Sequence, residues 1–256
     1  MAMTDPVELR IRRLEAIADS LRDSGRALAL LALGSAADTA RLDRWSDLDF
    51  FAIVREGEKR AFIEDLWWLR AAGPIGWCYR NTVDGWKALY EDGVFLEFAV
   101  FEPGELAAIP FAPGRIVWQA DGFDAALTEP RRVGGFQPAD PDWLAGEILS
   151  NLYIGLARWR RGERLAGMRS IQVHALDNLL RLAEQTLPPA PDIGTDPFNP
   201  ERRVERRHPD LAILLPDMAA GLAGCPRAAR AILSWLERHA TVPDAIRREI
   251  LELAAD

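Results

Sequence analysis

LALLALGSAADTARLDRWSDLDFFAIV, residues 28–54, is the stretch on which the fold turns. It opens with an almost unbroken apolar run that stops at Gly34-Ser35. A run of that length, bounded by glycine, predicts a buried strand rather than a helix. Residues 36–42 have room for one short helical turn, and DLDFFAIV, residues 47–54, predicts a second strand. The two strands place a Gly-Ser bend and an Asp-x-Asp pair, Asp47 and Asp49, at one end of a sheet.

Outward from this segment the pattern stays mixed. Residues 6–23 carry Val7, Leu14, Ile17 and Leu21 at helical spacing, with Pro6 suited to a first turn and Gly25 as a stop. Residues 58–71 predict a helix with Phe62, Leu66 and Leu69 on one side, broken by Gly73-Pro74. Residues 83–90 and 94–101 flank Glu91-Asp92-Gly93, and Asp-Gly between apolar runs is a strong hairpin signal. Residues 103–140 are rich in Gly and Pro, with one further strand at 115–119. Near residue 140 the character changes. Asp140-Pro141 reads as a helix cap and first-turn proline, followed by Leu144, Ile148, Leu152, Leu156 and Trp159 along one helix face. Met168, Ile171, Ala175, Leu179 and Leu182 mark a second helix, residues 188–200 a proline-rich connection, and residues 209–221, 226–239 and 243–254 three shorter helices. The class is α+β: a mixed-sheet domain over residues 1–138, then an all-helical domain over 139–256.

The chain has 256 residues, is 49% hydrophobic and 27% charged, and has a formal net charge of −8. Such a chain buries a real core. The acidic balance argues against phosphate-backbone neutralisation, so no nucleic-acid partner is expected. It suits a cationic small acceptor instead. Cys78 and Cys225 form no metal or disulfide spacing, which predicts a reducing, cytoplasmic setting. The first twenty residues lack the apolar core of a signal peptide, and no run approaches membrane-spanning length, so no membrane partner is expected.

Alternate strand residues point to the same face, so Asp47 and Asp49 stand side by side. Two neighbouring carboxylates at the start of an apolar strand repel unless a cation compensates them. A hard ion such as Mg²⁺ takes carboxylate oxygens plus substrate phosphates, the arrangement that phosphoryl and nucleotidyl transfer require. Gly34 permits a tight turn and close approach of an anion, and the Ser35 and Ser46 hydroxyls add donors. Glu97 is the only charge in VFLEFAVF, residues 94–101. It shares a face with Phe95, Ala99 and Phe101, which predicts a largely buried carboxylate needing a cation.

The order Gly-Ser, Asp-x-Asp on a strand, then a lone acid on a later strand resembles the polymerase-β-like nucleotidyltransferase superfamily. Within it the chain looks most like the small antibiotic nucleotidyltransferases, the streptomycin-type aminoglycoside and lincosamide enzymes. Gly34, Ser35, Ser46, Asp47, Asp49 and Glu97 carry the match, with the run WSDLD at 45–49. It covers residues 25–105; in the helical half it rests on architecture and on DPFNPERRVERRHP, residues 196–209. The resemblance implies Asp47, Asp49 and Glu97 as catalytic residues and Mg²⁺ ligands. It implies Gly34, Ser35 and Ser46 as the triphosphate cradle, with Glu97 as ligand, base, or both. The partners it implies are a nucleoside triphosphate, ATP before any other, and a small hydroxyl-bearing acceptor, in a monomer or homodimer.

Plainer roles stand beside these. A lone Asp-x-Asp is usually a solvated turn, and Glu97 has Arg80 and Lys87 within sequence reach as structural partners. An EF-hand built on Asp43, Asp47 and Asp49 lacks the loop glycine and terminal glutamate. Glu147 is a reserve base, Arg202, Arg203, Arg206 and Arg207, and with them Arg44 and Lys87, are reserve phosphate contacts, and Trp86 or Tyr90 are reserve stacking surfaces. The rival functions are a non-catalytic, antitoxin-like nucleotide-binding module and nucleotidylation of a macromolecule.

Overall fold

The computed structural model describes residues 5–131, 139–191, 193, 194, 196, 199 and 201–255. Part of the loop expected at 103–140, and part of the proline-rich segment and of the 196–209 motif, lie outside the described residues. The chain divides into two compact units, Met1–Gly134 and Gly135–Asp256.

The first unit opens with helix α1, Pro6–Asp23, whose N-cap Asp5 accepts from the Val7 amide. Strand β1, Ala27–Leu33, runs into the four-residue helix α2, Gly34–Ala37, and a 3₁₀ turn at Thr39–Arg41. Strand β2 is Leu48–Val54. Helices α3, Lys59–Glu64, and α4, Trp67–Ala71, follow, then strands β3, Ile75–Arg80, β4, Gly85–Tyr90, β5, Phe95–Phe101, and β6, Arg115–Gln119. The strands form one sheet in the order β3-β4-β5-β2-β1-β6. Every neighbouring pair is antiparallel except β2 and β5, which run parallel.

Alternation sorts the side chains. Leu48, Phe50, Ala52, Leu96, Phe98 and Val100 face a core closed by Leu14, Ile17 and Leu21 of α1 and by Phe62 and Trp68. Phe50 stacks on Phe98 at 5.2 Å, and Trp68 meets Phe98 edge-on at 5.3 Å. The opposite face carries a smaller cluster in which Phe51, Ile53, Ala99 and Phe101 pack with Leu106 and Phe111. That cluster takes in Phe51 and Ala99, which pair in register, but neither acid of the next row, Asp49 and Glu97.

Four expectations change, the first being the helix expected at 209–221, which is two short ones, Pro209–Ala212 and Leu215–Met218. The helix expected at 58–71 is two helices, because the Trp68 indole donates to the Phe62 carbonyl at 3.1 Å. In an unbroken helix that carbonyl would take the Leu66 amide. Strand β3 is additional to the expected hairpin. It is a sheet edge with Trp77 and Tyr79 exposed, so it lacks the apolar alternation of a half-buried strand. The helix expected through Met168 and Leu182 is interrupted in the second unit, as follows.

That unit opens with α5, Pro141–Arg160, capped by Asp140. Next come α6, Arg164–Arg169, a π-helical turn at Ser170–Ala175, and α7, Leu176–Thr186. A β-carbon on Gly155 of α5 would meet Ile171 at 2.6 Å, and one on Gly167 would meet the Gly155 carbonyl at 2.6 Å. The two glycines let the helices approach almost backbone to backbone, beside the π turn. Short helices α8, Val204–Arg207, α9, Pro209–Ala212, and α10, Leu215–Met218, precede α11, Cys225–His239, and α12, Asp244–Leu253. The core of this unit runs from Leu144, Ile148 and Leu152 to Leu179, Ile232 and Leu236. No described helix is long and apolar enough to cross a membrane.

Candidate functional site

The parallel pairing of β2 and β5 sets Asp49 directly opposite Glu97. On the other side of β5, Lys87 is opposite Glu97, and beyond it Tyr79 is opposite Lys87. On the other side of β2, Leu33 is opposite Asp49. One cross-strand row therefore reads Tyr79, Lys87, Glu97, Asp49, Leu33, and the chain turns at Gly34 immediately after it. Adjacent strands lie about 4.8 Å apart, so Asp49 and Glu97 are lateral neighbours on one face. Asp47 lies one residue ahead of β2 and is half-buried.

Gly34 is fitted to Asp49. Its φ is +53°, and a β-carbon there would stand 2.7 Å from Asp49 Oδ2. Only glycine takes that conformation at little cost and leaves the carboxylate in place. The bend continues as α2, where Ser35 is half-buried, and Arg115 of β6 donates to the carbonyls of Ala36 and Ala37 at 3.2 Å each. Ser46, expected at the phosphates, hydrogen-bonds within its own loop. Its hydroxyl accepts from the Asp43 amide at 3.0 Å and donates to Asp43 Oδ1 at 3.2 Å, closing a turn. Arg10, only 8% exposed, grips the same loop by donating to the Ser46 carbonyl at 2.5 Å and the Arg44 carbonyl at 2.7 Å.

Glu97 departs from its expected burial, since its side chain is 43% exposed. The covering cluster reaches this row only at its Leu33 end and includes neither acid, so the sheet face is open around Glu97. Both carboxylate oxygens have partners: Lys87 Nζ lies 2.9 Å from Oε2, and Asn81 Nδ2 donates to Oε1 at 3.1 Å. Lys87 holds its proton more tightly than usual, first through the hydrogen bond to Glu97 and then through that group's charge, with Asp49 adding a smaller pull. Of the two partners foreseen for Glu97, Lys87 is the one present. Arg80 instead donates to the carbonyls of Thr82 and Val83.

Among the described residues no group of three His, Cys, Asp or Glu side chains converges closely enough to hold a metal ion by itself. Magnesium is usually bound by one or two carboxylates plus phosphates and water, so a closed protein cage is not its signature. The carboxylates of Asp49 and Glu97 are hard donors in register on adjacent strands, with Asp47 just ahead and the Gly34 backbone against Asp49, a set whose chemistry fits such an ion with an anionic ligand.

Other candidates fall elsewhere. Tyr90 is buried, its hydroxyl donating to the Leu69 carbonyl at 2.7 Å, and Trp86 packs on the opposite core with its indole on the Ile63 carbonyl at 3.1 Å. Neither is a stacking surface on the row's face. The exposed rings there are Trp77, at 48%, and Tyr79, at 45%, 5.1 Å apart by ring centroids. Trp77 also lies 6.4 Å from Phe95 in a stacked arrangement. Arg207 is fully buried and donates twice to Glu184 Oε1, at 2.9 and 2.7 Å, so it is a structural cation of the helical unit and not a phosphate contact. His208 Nε2 shares that oxygen at 3.0 Å, and Arg202 pairs with Asp196 at 3.3 Å. Glu147 is half-buried on α5, 3.5 Å from the Asn151 amide nitrogen. Arg10, Arg115 and Asn81 are positioning residues that sequence reasoning missed, and Lys87 is one it left as a structural partner of Glu97 or a reserve phosphate contact.

The sequence matches no family model and no curated protein. Among solved structures, the chain is similar to an aminoglycoside 6-adenyltransferase from Bacillus subtilis at 14% identity, covering 96% of this chain and 99% of that one, with a TM-score of 0.33. It is similar to a nucleotidyltransferase-like protein from Exiguobacterium sibiricum 255-15 at 13% identity, over 88% and 74% of the two chains, with a TM-score of 0.35. A third is the E. coli MS115-1 CdnC:HORMA-deltaN complex, at 11% identity over 98% and 92%, with a TM-score of 0.32. Likenesses of this degree leave the functional reading to the residues themselves.

Proposed function

We propose that this chain is a nucleotidyltransferase of the polymerase-β-like superfamily, which moves a nucleoside monophosphate from a triphosphate, AMP from ATP in the first instance, onto a hydroxyl of a small molecule. The observation that carries the reading is the in-register pair Asp49 and Glu97 beside the Gly34 bend. It sets two hard carboxylates next to a backbone turn into which an anion can come close. A divalent ion, Mg²⁺ in this reading, would be held by Asp49 and Glu97 with Asp47, and would neutralise charge developing on the phosphates.

The chain's own residues supply the positioning. Gly34 and Ser35 leave backbone and hydroxyl donors at the bend for the phosphates of the triphosphate. In this reading Glu97, on the side of the row away from the bend, would accept the proton of an acceptor hydroxyl as its oxygen attacks the α-phosphorus and pyrophosphate leaves. Beyond Glu97 the same face runs out to Tyr79 and Trp77, which offer ring surfaces to the acceptor. An aminoglycoside-like or lincosamide-like compound suits the acidic chain. Most of the rate then comes from orientation and charge neutralisation, as in other phosphoryl transfers.

The test is to incubate the protein with Mg²⁺ and α-labelled ATP across a panel of aminoglycosides, lincosamides and other polyhydroxylated compounds. Pyrophosphate release with label on an acceptor supports the reading. No release with any nucleotide or acceptor, together with no binding of metal–ATP, removes it.

A further inference from the structure

Lys87 occupies a position the proposed reaction does not require of it. It is on β4, in register with Glu97, and its ammonium lies 2.9 Å from Glu97 Oε2. Asn81 takes the other oxygen at 3.1 Å. Asp49 is the next residue along the same row, on the far side of Glu97. A monovalent cation of the chain thus sits on the carboxylate that a divalent ion would need. An ammonium and a dication on one carboxylate oxygen repel each other, so the two occupancies exclude one another or weaken one another strongly. Lys87 is also able to move. Its side chain is 31% exposed, its stem is a flexible aliphatic chain, and an ion pair at such an exposed position is a weak restraint.

We propose that Lys87 is an exchangeable counter-ion, which keeps free divalent ions off Glu97 and releases it when the metal arrives bound to a triphosphate. The inference rests on the nucleotidyltransferase reading. Free Mg²⁺ brings two positive charges to a row that already holds an ammonium. A metal–triphosphate brings net negative charge, and its phosphates give the displaced ammonium a new partner. Lys87 therefore opposes the bare ion and favours the metal–nucleotide complex. The site would load metal with substrate rather than ahead of it.

A purely structural Lys87–Glu97 bridge predicts no such opposition of signs. The experiment compares the full chain with Lys87→Met and Lys87→Arg. It measures free Mn²⁺ by electron paramagnetic resonance, first with Mn²⁺ alone and then with Mn²⁺ plus a non-hydrolysable ATP analogue. Lys87→Met is expected to bind Mn²⁺ alone about tenfold more tightly than the natural chain and the Mn²⁺–analogue complex several-fold more weakly. Lys87→Arg is expected to keep the natural order of both. If Lys87→Met changes the two affinities in the same direction, or changes neither, the counter-ion role is overturned. If the natural chain and every variant bind neither Mn²⁺ nor its nucleotide complex, it is the underlying function that fails. Circular dichroism melting of each variant checks that it folds.

Discussion

Gly34→Ala separates the cost of an unusual backbone angle from the cost of moving a carboxylate, because the chain contains a matched control. Gly34 has φ +53° and Gly25 has φ +64°, so alanine at either meets the same left-handed penalty. That penalty is about 1–2 kcal/mol, which lowers the melting temperature by roughly 2–8 °C for a chain of this size. Their surroundings differ. A β-carbon on Gly25 has nothing within 4 Å, whereas one on Gly34 stands 2.7 Å from Asp49 Oδ2. Ordinary contact begins near 3.4 Å, so the carboxylate must retreat by about 0.7 Å. A displacement of 1 Å at reacting groups costs on the order of a hundredfold in rate, so Gly34→Ala is expected to lose about 25-fold in turnover. Gly25→Ala is expected to lose none. The assays are thermal melting by circular dichroism, Mn²⁺–nucleotide affinity, and pyrophosphate release with whichever acceptor the panel yields. If the two variants melt alike and also match in metal–nucleotide affinity and turnover, Gly34 is a plain turn residue and Asp49 has no metal role.

Asp47→Asn and Asp49→Asn are each expected to abolish label transfer while leaving the fold intact; relief of like-charge repulsion is expected to hold or raise the melting temperature without ligand. Full transfer activity in either variant would remove the metal assignment. Glu184→Gln takes away a carboxylate that Arg207, fully buried, holds at 2.7 Å, and is expected to lower stability. A chemical denaturation curve unchanged from the natural chain would show that the Arg207 charge is compensated elsewhere. Trp77→Ala combined with Tyr79→Ala is expected to raise KM for a ring-bearing acceptor several-fold and to leave KM for ATP alone. Equal effects on both substrates would place the nucleoside, not the acceptor, over these rings.

The parts of the molecule legible in the sequence are those set by local chemistry. Residues 28–54 announce two strands around a bend because apolar runs, glycine and paired acids all act within a few residues of one another. The register that brings Glu97 beside Asp49 is not local. It depends on β5 lying parallel to β2, a pairing of partners 48 positions apart, and nothing in residues 94–101 states it. The lone glutamate among apolar residues is a sound pointer to the site, yet its pattern overstates its burial, because the apolar cover on that face reaches its row only at Leu33, two strands away. Arg10 and Arg115 are invisible for a different reason. Both act on backbone carbonyls, so no complementary side chain marks their targets. Arg207 misleads because a run of arginines reads as a surface, and its partner Glu184 stands on another helix.

The hold of Arg10 on the loop before Asp47 has a consequence for how this molecule tolerates change. The guanidinium reads the main chain at positions 44 and 46, so Arg44 and Trp45 can vary in side chain without loosening the segment that delivers the first acid. Trp45, 78% exposed, is thus available to be altered for whatever it meets. The constraint is transferred to the opening helix, which becomes a remote support of the chemistry: shortening the protein to its sheet would unfasten the loop even with every acid still in place.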